Sequence, residues 1–308
     1  MLTLLTTDPT TTDPTTPDRT TTDLASDYRG FRCRTAHGVE FDRLRFAIMH
    51  GNGNVILVLD EQLSGLSAQQ VGGVLAREIC QVYTAVRVDG IAFVRTSGDP
   101  VRMTYFERDG THSTMCGNAL RCVTRYCVER GYLAGAEDVV RTDDGVKWVS
   151  AAGGRIRVEL GPGREFQRVS DGQYFAFSGL AHLVLLTSDL AGVDVPAVAR
   201  PLRYDEELCA RLAHPEGLHV NFMQRCSDGI AVRTYEVGVE DETLACGTGV
   251  AASAFVAHQV WGLPFPMRVR VRGGEMTVHH NERGLLISGT TNYLFSNVTA
   301  GRPTTRSA

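Results

Sequence analysis

The chain has 308 residues, 43% of them apolar and 21% charged, with a formal net charge of −4. That size fits one large or two medium domains. The mild acidity gives no basic surface for nucleic acid or anionic lipid, and no apolar run is long enough to span a bilayer. The start of the chain lacks a basic-then-apolar leader, so the cytoplasm is the expected compartment. The 8 cysteines fit that compartment as thiols. They show no Cys-x-x-Cys spacing and there is no His-Glu-x-x-His, so no metal is expected. Lys147 is the only lysine, the one candidate for a pyridoxal-phosphate Schiff base.

Residues 1–28 repeat Thr, Asp and Pro and read as a disordered tail, because such a segment cannot offset its ordering entropy. Order is expected from near Phe31 or Arg43. Strands are predicted at 46–50 and 55–60 around the turn Gly51-Asn52-Gly53-Asn54, then a helix over 66–80 and strands at 90–94 and 101–106. A helix over 118–130 ends at Gly131, and strands follow at 146–151 and 156–160. The scheme then repeats: strands at 182–186, 219–223 and 230–236, a helix over 249–261, and strands at 267–271 and 285–288. Gly161-Pro162-Gly163 marks the expected boundary. The fold class predicted is α/β (α+β), with two pseudo-symmetric domains, each a mostly antiparallel sheet around a central helix, and an active site in the cleft between them. The expected domains are 29–161 with a returning segment 289–300, and 162–288, leaving 301–308 as a tail.

Two cysteines sit in matching settings. Cys116 opens Cys116-Gly117-Asn118 and Cys246 opens Cys246-Gly247-Thr248, each leading into a predicted helix. Phe106-Glu107 precedes the first and Tyr235-Glu236 the second, with aromatic-to-cysteine spacings of 10 (116 − 106) and 11 (246 − 235). A helix N-terminus favours a thiolate and offers free backbone N–H groups to a carboxylate, and the glycine lets a ligand approach. Two such ends facing each other would clamp one amino-acid carboxylate and put a sulfur on each face of its α-carbon. One thiolate could then remove the α-proton while the other thiol returns one, with the clamp stabilising the electron-rich intermediate. The plainer reading, two small buried residues, fits a single Cys-Gly turn better than two in matched context.

These residues resemble the diaminopimelate epimerase family of amino-acid racemases and epimerases that work without pyridoxal phosphate. The likeness runs from about Phe46 to Val298. It is carried by His50-Gly51-Asn52-Gly53-Asn54, Asp109-Gly110-Thr111, Met115-Cys116-Gly117-Asn118, Gly179-Leu180-Ala181-His182, Val220-Asn221-Phe222 and Glu242-Thr243-Leu244-Ala245-Cys246-Gly247-Thr248-Gly249. The resemblance implies an isomerase without cofactor or metal, with Cys116 and Cys246 as catalytic thiols. It implies Gly117, Asn118, Gly247 and Thr248 as the carboxylate clamp, Asn54 as a substrate contact, and His182 and Glu236 as groups that tune the thiols. A homodimer is expected only by analogy.

The chain departs from the pattern where the family grips the distal amino-acid head of diaminopimelate. Gly90 replaces a glutamine; Glu107, Leu180 and His219 replace asparagines; Val237 replaces an arginine. A buried distal carboxylate left unpaired costs several kcal/mol at least. The expected substrate is therefore another amino acid, basic or polar, with Glu107 and His219 recognising its side chain. Three alternatives stand beside this. One is diaminopimelate epimerase itself, in lysine and peptidoglycan synthesis, with Arg108 or Arg233 compensating. Another is a non-catalytic ligand-binding paralogue, which would need neither thiol. The third is a pyridoxal-phosphate enzyme built on Lys147. Glu107 could also simply pair with its neighbour Arg108 at the surface.

Overall fold

A computed structural model describes residues 45–82, 87–152, 155–296 and 298. The expected tails, 1–28 and 301–308, lie outside the described residues, as does the expected start of order at Phe31 or Arg43.

The strands pair as one continuous ladder that reads the same from either end. From one end it runs Thr291–Ser296, Phe46–Gly51, Asn54–Asp60, Gly90–Arg95, Val101–Glu107, Asp138–Thr142, Gly145–Ser150, Ile156–Gly161. From the other it runs Arg164–Ser170, Gln173–Phe177, Ala181–Leu186, His219–Cys226, Gly229–Glu236, Met267–Val271, Gly274–Asn281, Gly284–Gly289. The two series meet where Ile156–Gly161 pairs antiparallel with Gly284–Gly289. Each series has its two parallel pairings at the same places, third strand with fourth and fifth with sixth. The fold is thus two pseudo-symmetric α+β halves, mostly antiparallel, and the chain's last strand returns to pair with its first.

Parallel neighbours need a crossover, and each crossover here carries a helix. Gly117–Glu129 and Gly247–Trp261 link the fifth strands to the sixth and lie inside the two halves. The second is largely apolar and buried through Ala257 apart from the partly buried Phe255, exposes His258 and Gln259 in its last turn, and ends at Gly262 in the left-handed region. The outer sheet faces are covered by Ala68–Val82 in the first half and by Val195–Arg203 and Glu206–Arg211 in the second. Among the described residues no helix is long and apolar enough to cross a membrane.

The sequence predicts the helix over 66–80 as unbroken, yet Gly72 breaks Ala68–Val82 with φ 57° and ψ −178°. The break lets Gly73 press on the loop that precedes Cys116: a Cβ on Gly73 would lie 2.3 Å from the Gly110 carbonyl oxygen.

Candidate active site

Cys116 and Cys246 are the N-caps of the two central helices, both with extended backbone. The helix ends meet, since a Cβ built on Gly247 would lie 3.7 Å from the Gly117 Cα. A Cβ at either glycine would be in van der Waals contact with the facing helix end and would crowd Ile287 Cδ1, at 3.0 and 2.9 Å. The join is tied by Asn118, whose Nδ2 donates to the Ala245 carbonyl at 2.9 Å. Its Oδ1 accepts from Arg121 Nη2 at 2.6 Å. The Asn118 side-chain oxygen and one of its two Nδ2 hydrogens are therefore committed to structure, which leaves the other Nδ2 hydrogen and the backbone amide for a carboxylate. Thr248 is split likewise. Its hydroxyl lies 3.4 Å from Cys246 Sγ and its carbonyl accepts from Ser178 Oγ at 2.7 Å.

Arg121, which the motif reading passed over, is fully buried and holds this arrangement together. Besides Asn118, its Nη1 reaches Asn52 Oδ1 at 2.7 Å and the Thr290 carbonyl at 3.3 Å. Asn52, at φ 50°, in turn donates to the Gly273 and Glu275 carbonyls of the other half. The available signal was an arginine on the buried face of a helix, three residues after Asn118.

The expectation that the helix ends would make these thiols acidic needs correcting. Backbone amides do pull both down, those of Ala119 and Asn118 at Cys116 and that of Gly249 at Cys246. Burial is the larger effect, and the negative charges of Glu107 at Cys116 and Glu236 at Cys246 add to it. In the free site both thiols are held well above the ordinary thiol range. The carboxyls rise too: Glu107 is pushed up to about 8 by burial and by Glu236, and Glu236 to about 7 by burial.

In the second half, His182 and His219 are cross-strand neighbours with ring centroids 4.8 Å apart. Asn221 Nδ2 donates to the Leu183 carbonyl (3.2 Å) and to His182 Nδ1 (3.1 Å), while its Oδ1 accepts from Thr234 Oγ1 (2.9 Å). That fixes the His182 proton on Nε2, which is buried with no partner among the described residues. Val237 N–H donates to His219 Nδ1 at 3.2 Å, so this ring also carries its proton on Nε2. Burial keeps both imidazoles neutral, His219 lowered to about 4. Ligand atoms of His219, Glu236 and Cys246 lie within 4.8 Å of one another, a donor set of metal-binding type. While the Val237 bond holds, neither His219 nitrogen has a free lone pair, so the set does not fit a resident metal.

In the first half, Gly90 stands directly across from Glu107. The neighbouring pairing of Val220 with Tyr235 places His219 at the equivalent site opposite Glu236. Glu107 makes no ion pair with Arg108, which donates instead to the Val88 carbonyl at 3.0 Å. The charged neighbours acting most on Glu107 are Glu236, Asp109 and Asp89, all acidic. Tyr105, absent from the sequence-derived site, donates to Glu107 Oε2 at 3.2 Å, and burial together with the charges of Glu107 and Cys116 pushes its own pKa up. Arg233 is consumed by a two-pronged pair with Glu242 (2.7 and 2.8 Å) and by the Leu190 and Val193 carbonyls. Asn54 Oδ1 is buried and has no partner among the described residues. Leu180 and Val237 are half-buried and bring no side-chain donor. Lys147 lies on strand Gly145–Ser150, paired with Asp144 at 2.6 Å.

The arrangement sets a cysteine at the N-terminus of each of two meeting helices, and comparison with known proteins gives the family. The diaminopimelate epimerase family model matches residues 46–164 and 174–294. A diaminopimelate epimerase of Archaeoglobus fulgidus is 33% identical, the match covering 83% of this chain and 96% of the relative. One of Aquifex aeolicus is 34% identical over 78% and 91%. Among solved structures, a Bacillus anthracis phenazine biosynthesis protein of the PhzF family superposes with a TM-score of 0.62 at 14% identity, covering 82% of this chain and 97% of that one. A hydroxyproline epimerase of Agrobacterium vitis with bound trans-4-hydroxy-L-proline gives 0.58 at 15%, covering 83% and 92%. The two structures share the fold, and the sequence matches give the kinship: the chain belongs to the diaminopimelate epimerase family and is an isomerase of the racemase and epimerase type.

Proposed function

We propose that the chain inverts the α-carbon of a basic or polar amino acid by proton transfer between Cys116 and Cys246, without a cofactor. One thiolate sulfur takes the α-proton; the electron pair left on carbon is stabilised at the carboxylate by the helix N–H groups behind Gly117, Asn118, Gly247 and Thr248. The opposite thiol gives its proton to the other face, so thiol and thiolate exchange and no proton is gained or lost. The α-ammonium fits against Glu236, beside Cys246. Its charge would offset the carboxylates that hold the thiols protonated in the free site. The orphaned Nε2–H of His182 and Oδ1 of Asn54 are polar groups a bound substrate would satisfy. In this reading 29–161 with 289–300, and 162–288, are the two domains that close on the substrate.

The observation that carries the substrate assignment is the charge of the side-chain region. The charge of Glu236 acts on Glu107 there, and Arg233, the arginine the sequence offered as compensation, is paired with Glu242 instead. A second carboxylate on the substrate would find two acids and would hold them further in their protonated forms, whereas an amine would favour their ionised forms and pair with them. The names of the curated relatives favour the second reading, diaminopimelate epimerase. Incubation in D₂O with single amino acids, including ornithine, lysine, histidine, arginine and diaminopimelate, separates the two. Deuterium at the α-carbon of a non-diaminopimelate amino acid is the expected result; exchange with diaminopimelate alone would overturn it.

A further inference from the structure

Tyr105 precedes Glu107 by two residues on the same strand, so both face the same side, and its side chain is 1% exposed. A Cβ placed on Gly90 would lie 2.1 Å from the Tyr105 hydroxyl and 2.5 Å from its Cζ. Gly90 and Tyr105 are therefore a matched pair, because any side chain at 90 excludes this placement of the phenol. The other half solves the same space the opposite way. There a full side chain, His219, stands opposite the glutamate, and the small Thr234 occupies the position two residues before it.

Resting on the isomerase reading above, we propose that Tyr105 is the specificity-determining residue of the N-terminal half. Its phenol fills the end of the side-chain pocket over Gly90, so that only a short side chain fits, and its hydroxyl holds Glu107 to receive an amine at that chain's end. A side chain leaving an α-carbon held beside Cys116 and directed towards Glu107 meets the Tyr105 hydroxyl, which is hydrogen-bonded to Glu107. A long chain is excluded by volume and an acidic chain by Glu107. The substrate class that remains is the short-chain diamino acids.

Occupancy of the pocket can be read without turnover as protection of Cys116 and Cys246 from iodoacetamide, scored peptide by peptide by mass spectrometry. The reduced full-length protein would be challenged with 2,3-diaminopropionate, 2,4-diaminobutyrate, ornithine, lysine and diaminopimelate. The two shortest should protect at concentrations roughly ten-fold below lysine or diaminopimelate. Tyr105→Ala should move the optimum to chains one or two carbons longer. If that variant does not fold, Tyr105→Leu, which shortens the side chain and stays apolar, should make the same shift, as should Gly90→Ala, whose Cβ displaces the hydroxyl but also crowds the Phe106 carbonyl oxygen at 2.7 Å. Tyr105→Phe, which keeps the ring, should retain the length order while weakening protection by every diamine about five-fold. An unchanged length order in Tyr105→Ala and Gly90→Ala overturns the proposal, as does lysine protecting as well as the short chains, or no amino acid protecting at all. α-Deuterium exchange on the same samples reports separately: length-ordered protection without exchange supports the role of Tyr105 while sinking the isomerase reading.

Discussion

The two halves of the molecule present the same acid and thiol at equivalent places and surround them differently. In the C-terminal half, Glu236 and Cys246 stand among neutral, hydrogen-bonded partners: His182, His219, Asn221 and Thr234. In the N-terminal half, Glu107 and Cys116 face a bare Gly90 and one phenol. The C-terminal surroundings are built to orient, since each ring proton is assigned by a backbone or amide partner. The N-terminal surroundings are built to fill space, with the Tyr105 hydroxyl as donor to Glu107, whereas in the C-terminal half Glu236 Oε2 is buried without a partner among the described residues. The symmetric part is what proton transfer needs on each face of a carbon, and the asymmetric part is where substrates are told apart.

The hardest test of the shared chemistry is to remove it one side at a time. Cys116→Ser and Cys246→Ser should each slow racemisation by roughly 1,000-fold, because the alkoxide forms far less readily than the thiolate. Chiral chromatography of the product is the measurement. Near-full activity in either variant would mean that one face does not use its sulfur.

The join between the halves is the next target. Arg121→Met leaves Asn52 Oδ1 and Asn118 Oδ1 without their donor in a buried place, while the Thr290 carbonyl keeps the Asn52 N–H. A loss of about 3 kcal/mol in urea unfolding is expected, since unsatisfied buried acceptors cost about 1 to 3 kcal/mol each and some will relax. Alkylation of both cysteines should also speed up as the helix ends loosen.

The acidic pairing carries a pH signature. The folded carboxyls of Glu107 and Glu236 lie at about 8 and about 7, above the ordinary 4.5. They hold protons the unfolded chain has already released, so their stabilising contribution is complete below about 4.5 and is lost as pH rises through 7 and 8. Free protein should therefore lose stability across that window, and Glu107→Gln should flatten the upper part of the fall. An amine bound at Glu107 favours its ionised form, so binding should release protons near pH 7. Calorimetry in buffers of different ionisation enthalpy would detect this, and a heat that does not vary with buffer would remove Glu107 from recognition.

Much of this could be read before any coordinates. The repeated Cys-Gly turns gave the thiols and the central helices, because an N-cap followed by an apolar run is a local signal. Other features depended on distant partners. Arg164–Ser170 is a largely exposed, polar strand that exists because it pairs with Gln173–Phe177. Val195–Arg203 was marked by its cap, Asp194, with Pro196 behind it, but its apolar face shows only against the strands it covers. Tyr105 looks like any inward residue of an alternating strand, and only the register with Gly90 shows what it fills. Asn118 and the thiols misled in the same way: a motif names a residue, while its hydrogen-bond partners and burial decide which of its atoms remain available and in what protonation state.

The finest distinction between the halves is Thr234 against Tyr105, and Thr234→Val tests it gently. The change keeps the shape and removes the hydroxyl that donates to Asn221 Oδ1. Asn221 is tightly enclosed there, since a Cβ on Gly249 would come within 2.3 Å of that oxygen. It therefore cannot swing to a new donor, and one buried acceptor loses its bond. The cost should be about 1 kcal/mol, read as a lower urea midpoint at unchanged slope. Nitrogen chemical shifts of His182 give the sharper reading. With the amide less firmly held, Nδ1 loses part of its donor, and the ring should become a mixture of its two neutral tautomers. A single Nε2–H tautomer in the variant would mean that the Leu183 carbonyl alone orients Asn221, and that Thr234 is present only because the space opposite His219 takes no larger side chain.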